Sequence, residues 1–159
     1  MQGSDLESTT VLAPTRRLAA VVSELHADLD ALVMLLSSDA PTVANVLVAD
    51  RVIREAWLKR PYAQVDAVAA RQLLGLLIRW RAITLTDTDQ VRLNLTRAHS
   101  RLAEELERVR ELERRCLSEG SEPALNYLRE SGWQIIGKNC HRESTSRLGR
   151  YLAWSSVRR

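Results

Sequence analysis

Apolar residues recur at steps of three and four along most of the chain, which is the spacing of an amphipathic α-helix. The longest such stretch runs from Asp89 to Leu117 and contains neither glycine nor proline. Only Glu105 stands where an apolar residue is due. A helix with one apolar side needs partners on that side. The pattern therefore predicts a long helix that forms the spine of a helical bundle.

Three amphipathic stretches precede the long helix. The first begins at Pro14 and ends near Leu36, after a lead of residues 1–13 that we expect to be flexible. The second runs from Pro41 to about Leu58, and its inward residues are expected to be Val43, Val46, Leu47, Ile53 and Trp57. The third, from about Ala63 to Ala82, is apolar nearly all round in its second half, which is typical of a central helix.

Two shorter stretches follow the long helix. A helix is predicted from Ser121 to Gly132, and a last one from Ser144 to about Val157. The apolar segment between them, Trp133 to Gly137, fits a brief helix or an extended strand. The fold class predicted is all-α, a five- to six-helix bundle with one long central helix. Residues 14–137 would form the bundle, and residues 138–159 a basic C-terminal helix packed on it or appended to it.

Composition narrows the class of protein. With 159 residues, of which 45% are hydrophobic, the chain is long enough to close one core. Its two cysteines, Cys116 and Cys140, form no CxxC pair, which argues against a metal knuckle or a disulfide framework. The start of the chain lacks a signal peptide's positive charge, and no apolar run reaches the length of a membrane span. We expect a cytoplasmic protein that does not contact a membrane.

The net charge of +3 conceals a segmental pattern. Residues 1–50 carry two basic against seven acidic side chains, whereas residues 51–81 carry seven basic against two acidic ones. Residues 138–159 carry six basic side chains against one acidic side chain. Such asymmetry favours contacts with a polyanion, or subunits that pack an acidic face against a basic one.

Basic residues in three places are candidates for contacting nucleic acid. Arg79 and Arg81 flank Trp80, and two arginines beside an indole suit phosphates and bases as well as they suit the C-terminal dipole of a helix. Lys59 and Arg60, at the basic end of the second helix, can likewise bind phosphates or complement the C-terminal dipole of that helix. The full candidate set is Arg51, Arg54, Lys59, Arg60, Arg79, Arg81, Arg147 and Arg150.

The long helix carries its own row of arginines, Arg101, Arg108 and Arg115, at every seventh position. Acidic residues stand four positions before Arg108 and Arg115, which is the favourable order for ion pairs within a helix. We therefore interpret the row as a solvated, internally paired flank. Arg92 and Arg97 have no acidic residue four positions before them and are better candidates for an outside partner.

No arrangement of residues indicates catalysis. The three histidines lie in three separate segments, and the chain has neither a glycine-rich phosphate loop nor a metal-ligand spacing. Most carboxylates stand beside arginines on predicted outer faces. We expect a protein that is not an enzyme, with no catalytic residue, no cofactor and no metal.

The segment Ile135–Leu152, IIGKNCHRESTSRLGRYL, resembles a bacterial helix-turn-helix. The run Ser144–Arg147 before an apolar residue is common in the second helix of that motif, and the resemblance implies a DNA-binding regulator. The segment departs from the motif at the turn, where His141 or Arg142 replaces the usual glycine, and at Gly137, where alanine is common. A plain amphipathic helix with a basic outer face explains the same residues.

Taken whole, a five- or six-helix chain of this size with separated basic clusters resembles the helical small subunits of CRISPR effector complexes. That resemblance implies a subunit that lines a ribonucleoprotein filament, stacks on copies of itself and holds nucleic acid by its backbone. The function expected is thus a non-catalytic subunit of a nucleic-acid-associated assembly, whose partners are RNA or DNA and other protein subunits. The alternatives are the helix-turn-helix regulator and a protein–protein interaction or dimerisation module.

Overall fold

A computed structural model of the chain describes the backbone of residues 2–57, 65–88, 90–136 and 139–142. Side chains are described for residues 17–53, 65–88 and 90–135. Within these ranges the fold is mostly helical, as predicted, with two short antiparallel strand pairs added. The elements are α1 (Gln2–Ser37), α2 (Pro41–Trp57), α3 (Val65–Arg79), β1 (Ile83–Leu85), β2 (Val91–Leu93), a 3₁₀ turn (Leu95–Ala98), α4 (His99–Glu119), α5 (Glu122–Glu130), β3 (Trp133–Ile136) and β4 (Asn139–Arg142).

The core lies between α1, α3 and α4, because α1 packs against both of the others. The apolar stripe predicted on α1 is confirmed, since Val22, Leu25 and Leu29 are fully buried. Helix α3 is buried over most of its circumference, which also agrees with its prediction as a central helix. The start predicted for the first helix at Pro14 is wrong, because α1 begins at Gln2 and includes the expected lead.

Helix α2 turns a partly different side to the core from the one predicted, although Leu47, which is predicted to face inward, does pack against the core. Ala44 and Val48 are fully buried, whereas Val43, Val46 and Ile53 are more than half exposed. The helix has apolar residues on two faces, and the face with Ala44 and Val48 is the one turned to the core. Periodicity alone does not distinguish the two faces, because both follow steps of three and four.

The long helix is shorter than predicted and begins at His99 rather than at Asp89. Val91–Leu93 instead form β2, which pairs with β1 in the register Ile83↔Leu93 and Thr84↔Arg92. A polar turn at Thr86 closes the hairpin, because the Thr86 amide donates to the Gln90 carbonyl at 2.8 Å. A short run with β-branched residues near a turn is compatible with a hairpin as well as with a helix. Here the pairing with β1 shows that the segment forms a hairpin.

Polar side chains join α4 to α1 beside the apolar contact. Glu113 on α4 accepts a hydrogen bond from Ser23 Oγ at 3.2 Å, and its second oxygen contacts Nδ1 of His26. Arg110 on α4 forms an ion pair with Asp30 on α1 at 3.3 Å. These contacts fix which side of α4 faces α1.

Beyond α4, the chain continues through α5 into a second hairpin. β3 pairs with β4 in the register Trp133↔Arg142 and Ile136↔Asn139. The structure therefore selects the extended alternative for the segment that begins at Trp133. It also contradicts the helix-turn-helix interpretation, because residues of the expected first helix lie in strands. The second helix of that motif, from Ser144, lies outside the described residues, as does the rest of the predicted C-terminal helix.

A buried side-chain amide connects α3 to α5, to the end of α5 and to β3. The Gln72 side chain of α3 is fully buried, and its Nε2 donates to Tyr127 Oη at 3.1 Å and to Ser131 Oγ at 2.9 Å. Its Oε1 accepts a hydrogen bond from Trp133 Nε1 at 2.9 Å. A buried polar group needs such partners to offset its lost hydration. Gln72 thus positions α5 and β3 against α3.

None of the helices in the described ranges combines the length and the hydrophobicity that crossing a membrane requires.

Candidate nucleic-acid interface

Two of the predicted nucleic-acid contacts, Arg79 and Arg81, lie together at the end of α3. Arg79 is exposed in the last turn of the helix, and Arg81 is exposed two residues later. Arg81 has a φ of 59°, in the left-handed region, which ends the helix and turns the chain toward β1. The conformation leaves both guanidinium groups on the surface, with Trp80 half-buried between them.

The β1–β2 hairpin presents a third arginine close to this pair. Arg92 lies opposite Thr84 in the strand register, and both side chains are exposed. The amide of Asn94 donates to the carbonyl of Ala82 at 2.7 Å, which brings the end of β2 beside the residue that follows Arg81. The hairpin therefore holds Arg92 near the end of α3.

Two more arginines follow on the helical segment that leaves the hairpin. Arg97 lies in the 3₁₀ turn and Arg101 in the first turn of α4, and both are exposed. His99, at the junction, has helical φ and ψ of −54° and −49°, so that the turn passes directly into α4. Arg97 and Arg101 lie four positions apart across the junction of the 3₁₀ turn and α4, so that they are separated by about one helical turn along the chain.

These five residues form what we call the arginine surface: Arg79, Arg81, Arg92, Arg97 and Arg101. Over the segment 79–104 the sequence carries five arginines against three carboxylates. Within the described part of the chain, none of the five forms an ion pair with a carboxylate. An exposed guanidinium without an internal partner is free to bind an external anion such as phosphate.

The other arginines of α4 are engaged. Arg108 pairs with Glu130 at 3.0 Å, and Arg115 pairs with Glu119 at 2.9 Å. Arg114 forms an ion pair with Glu111. The prediction of a paired flank is therefore confirmed for Arg108 and Arg115. The partners differ from those predicted, and Arg101 does not belong to the paired group.

Arg51, the first residue in the predicted set, is bound within the chain. Its Nη2 lies 3.2 Å from Asp28 on α1, and its Nη1 lies 2.9 Å from Asp50. The hydrogen bond that Arg51 donates to Asp28 is the main cause that raises the pKa of Arg51 above its ordinary value, with burial acting against it. Arg51 thus joins α2 to α1. Spacing along the chain carries little sign of this pair, because Asp28 lies 23 positions away.

The remaining predicted contacts have no described side chain. Arg54 lies in α2 by its backbone, and Lys59, Arg60, Arg147 and Arg150 lie outside the described residues. The structure thus brings together two members of the predicted set, Arg79 and Arg81. It adds to them the three unpaired arginines of the following segment.

A buried carboxylate lies behind the arginine surface. Glu105 is only 7% exposed and lies on α4 one turn after Arg101. Burial raises the pKa of the Glu105 carboxyl, while Arg108, a hydrogen bond from Tyr127 and the charge of Arg79 act against that rise. One oxygen, Oε1, has no hydrogen-bond partner, and its contact with Arg108 Nη1 is a longer ion pair of 3.8 Å. Glu105 therefore places a buried carboxyl group beneath part of a positive surface.

The polar cluster of Ser23, His26 and Glu113 does not have the order of a nucleophilic triad. In such a triad the histidine lies between the nucleophile and the acid. Here both Ser23 and His26 bind the carboxylate of Glu113. No group of three or more potential metal ligands occurs in the ranges that the structure covers. This cluster is accounted for by the packing of α1 against α4.

Comparison with protein-family models, with curated proteins and with solved structures finds no match to this chain.

Proposed function

We propose that this chain is a non-catalytic helical subunit of a ribonucleoprotein assembly, and that its arginine surface contacts the phosphate backbone of the nucleic acid. The observation that carries the proposal is the contrast between two groups of arginines. Those of the arginine surface are exposed and without a carboxylate partner among the described residues. Arg51, Arg108 and Arg115 are neutralised by acids of the same chain.

The position of the arginine surface favours contacts to phosphate over contacts to base edges. Its members come from a helix end, a hairpin strand and a 3₁₀ turn, which spread positive charge over a surface instead of presenting one helix to a groove. Binding of this kind is tolerant of sequence and falls steeply with salt, because bound cations are released from the nucleic acid. In this proposal Arg51 joins α2 to α1 and is not a contact to nucleic acid. Arg54, Lys59, Arg60, Arg147 and Arg150 remain predicted contacts.

The setting that we propose follows the resemblance to helical small subunits of CRISPR effector complexes. In that setting the chain would stack on neighbouring subunits and hold RNA or DNA along a filament. The cytoplasm would be its compartment. A subunit of this kind needs both a nucleic-acid surface and a surface for its neighbours.

A second candidate function, a protein-interaction module, is favoured by a separate observation. Val43, Val46 and Ile53 expose large apolar side chains along one face of α2. Apolar groups grouped on an exposed surface are typical of protein–protein contacts. The two functions are compatible in a subunit of a larger assembly.

The experiment that tests the proposal compares two triple variants of equal charge. The first replaces Arg81, Arg92 and Arg97 of the arginine surface by alanine. The second replaces Arg110, Arg114 and Arg115, which are ion-paired on the outer side of α4, by alanine. Both variants lose the same formal charge. Binding to duplex DNA and duplex RNA of unrelated sequences is measured by fluorescence anisotropy over a series of salt concentrations.

The first variant is expected to bind every sequence more weakly and to reduce the slope of log K against log salt by about 0.9 for each phosphate that it no longer binds. The paired variant is expected to change the slope little, because its arginines already have acidic partners. Equal losses in the two variants would refute the arginine surface as the interface. A wild-type chain that binds no nucleic acid at low salt would refute the proposed function itself.

A further inference from the structure

Trp80 lies between Arg79 and Arg81 in the arginine surface, and its indole is only half-buried. Part of the indole packs against the core of the bundle. Among the described residues, no group accepts a hydrogen bond from Trp80 Nε1, and this atom does not belong to the buried polar atoms that lack a partner. The N–H edge of the indole therefore has access to water.

The other tryptophan with a described side chain has a different environment. Trp133 is 2% exposed, and its Nε1 donates a hydrogen bond to Gln72 at 2.9 Å. A buried indole N–H usually finds such a partner. Packing within the fold accounts for the whole of the Trp133 side chain, whereas it accounts for only part of Trp80.

The backbone next to Trp80 has a conformation that an arginine rarely adopts. Arg81 has the left-handed φ of 59°. Glycine is the usual residue in this conformation after a helix, because a side chain with a Cβ makes it costly. Residues held in such conformations are frequent where ligands bind. An arginine at this position therefore suits a ligand contact better than it suits the turn.

An accessible indole among guanidinium groups fits the unpaired base of a single strand. In a duplex the bases stack on one another, so a side chain outside the duplex does not reach their faces. In a single strand every base offers a face that stacks on an aromatic ring, whatever the sequence. Arg79 and Arg81 flank the indole, and the hairpin holds Arg92 nearby. Guanidinium groups are thus available to the phosphates on both sides of a stacked base.

We propose that the arginine surface binds single-stranded nucleic acid, with the Trp80 indole stacking on an unpaired base while the neighbouring arginines bind phosphates. This inference rests on the proposed function and names the form of nucleic acid that the surface prefers. Stacking involves the base and not the sugar, so the proposal covers unpaired RNA and unpaired DNA. A duplex is bound by the same arginines through its phosphates alone, and therefore more weakly.

The test compares the full wild-type chain with three variants, Trp80→Phe, Trp80→Leu and Ile78→Ala. Trp80→Phe keeps an aromatic ring, whereas Trp80→Leu keeps an apolar contact to the core and removes stacking. Ile78, in the last turn of α3, is half-buried and packs against the core, so Ile78→Ala is a matched control for loosened packing. Circular dichroism and thermal melting establish that each variant is folded.

Fluorescence anisotropy at equal salt measures binding of oligothymidylate, oligouridylate and a duplex, each of about 20 nucleotides, which exceeds the site of a typical single-strand-binding fold. The wild type is expected to bind at least one of the single strands about fivefold more tightly than the duplex, as one stacked base would provide. Trp80→Leu is expected to lose about this factor for that strand and to stay within about twofold of the wild type for the duplex. Trp80→Phe is expected to keep most of the single-strand affinity, and Ile78→Ala is expected to keep all of it.

A wild type that binds the duplex as tightly as both single strands would overturn this inference and leave the proposed function standing. Equal losses of single-strand affinity in Trp80→Leu and Ile78→Ala, or in Trp80→Leu and Trp80→Phe, would also overturn it, because the indole would then act through packing. The proposed function fails on a different result, equal losses in the two triple arginine variants, and that result does not involve Trp80.

Discussion

Replacing Gln72 by leucine gives the sharpest test of how this bundle is held together. The substitution keeps a side chain of similar size in α3 but removes the buried amide. Three hydrogen bonds are lost, to Tyr127 Oη, Ser131 Oγ and Trp133 Nε1. The elements that these bonds position are α5 and β3.

The expected cost follows from the surroundings of each former partner. A buried hydrogen bond contributes about 1 kcal/mol net, so that three bonds give a loss of about 3 kcal/mol. Ser131 is half-buried and can bind water in place of Gln72, and the leucine gains apolar burial. Tyr127 keeps its hydrogen bond to Glu105. We therefore expect a net loss of about 2 kcal/mol in the free energy of unfolding, or about 4–8 °C in melting temperature for a chain of this size.

The matched control is Gln134→Leu. Gln134 lies in β3 next to Trp133, but its side chain is exposed. Urea denaturation, followed by tryptophan fluorescence, compares the two variants with the wild type. Surface substitutions of this kind usually stay within about 0.5 kcal/mol. If Gln72→Leu is no less stable than Gln134→Leu, the buried amide does not hold α5 and β3 in place, and the assignment of the network is wrong.

Two further predictions concern α4. Burial raises the pKa of Glu105 in the folded chain. Glu105 therefore contributes most to stability at pH values below its pKa in the unfolded chain, and this contribution is lost as the pH rises through its pKa in the folded chain. The stability of Glu105→Gln, measured by urea denaturation at several pH values, should lack this fall, and a pH profile parallel to that of the wild type would contradict the burial argument. Gly120 ends α4 with φ 83° and ψ −158°, and an added Cβ would meet no atom within 4 Å, so Gly120→Ala tests backbone strain alone. It should cost about 1–3 kcal/mol in the same assay, and an unchanged midpoint would show that the chain relaxes at this position.

Much of the helical frame could be predicted from the sequence because its apolar stripes are continuous. The stripe on α1 and the nearly all-apolar sequence of α3 each allow one way to bury the apolar side of the helix. For α2 the pattern predicts a helix but with the wrong face inward, since Val43 and Val46 are larger and more apolar than Ala44. Contacts with α1 and α3 decide between the two faces, and the sequence of one helix does not contain those contacts.

The errors around α4 have a different cause. Val91–Leu93 continue the helical spacing of α4, and only their pairing with Ile83–Leu85 places them in a strand. When a segment could form either a helix or a strand, contacts with residues distant in the chain decide which of the two it adopts. Glu105 could be recognised as a break in the apolar pattern, but its buried partner Tyr127 could not be inferred from spacing.

For the candidate interface, the sequence could identify basic residues but not their partners. Arg51 belongs to the predicted set, and only the folded chain reveals its pairing with Asp28. Arg97 carries a usable signal, because no acidic residue lies three or four positions from it on either side. Gln72 is absent from the residues that the pattern singles out. A single glutamine in the apolar second half of α3 is the kind of signal that could have drawn attention to it.

The buried amide also bears on the time for which the folded chain persists. The three partners of Gln72 lie 55, 59 and 61 positions further along the chain. Loops of that length must close before any of these bonds can form, and closing them costs conformational entropy. Bonds of this kind are expected to form late in folding, after α5 and β3 have docked. Interactions that form late slow the rate of unfolding and leave the rate of folding nearly unchanged. Loss of the Gln72 hydrogen bonds is therefore expected to speed unfolding of the bundle more than it slows folding.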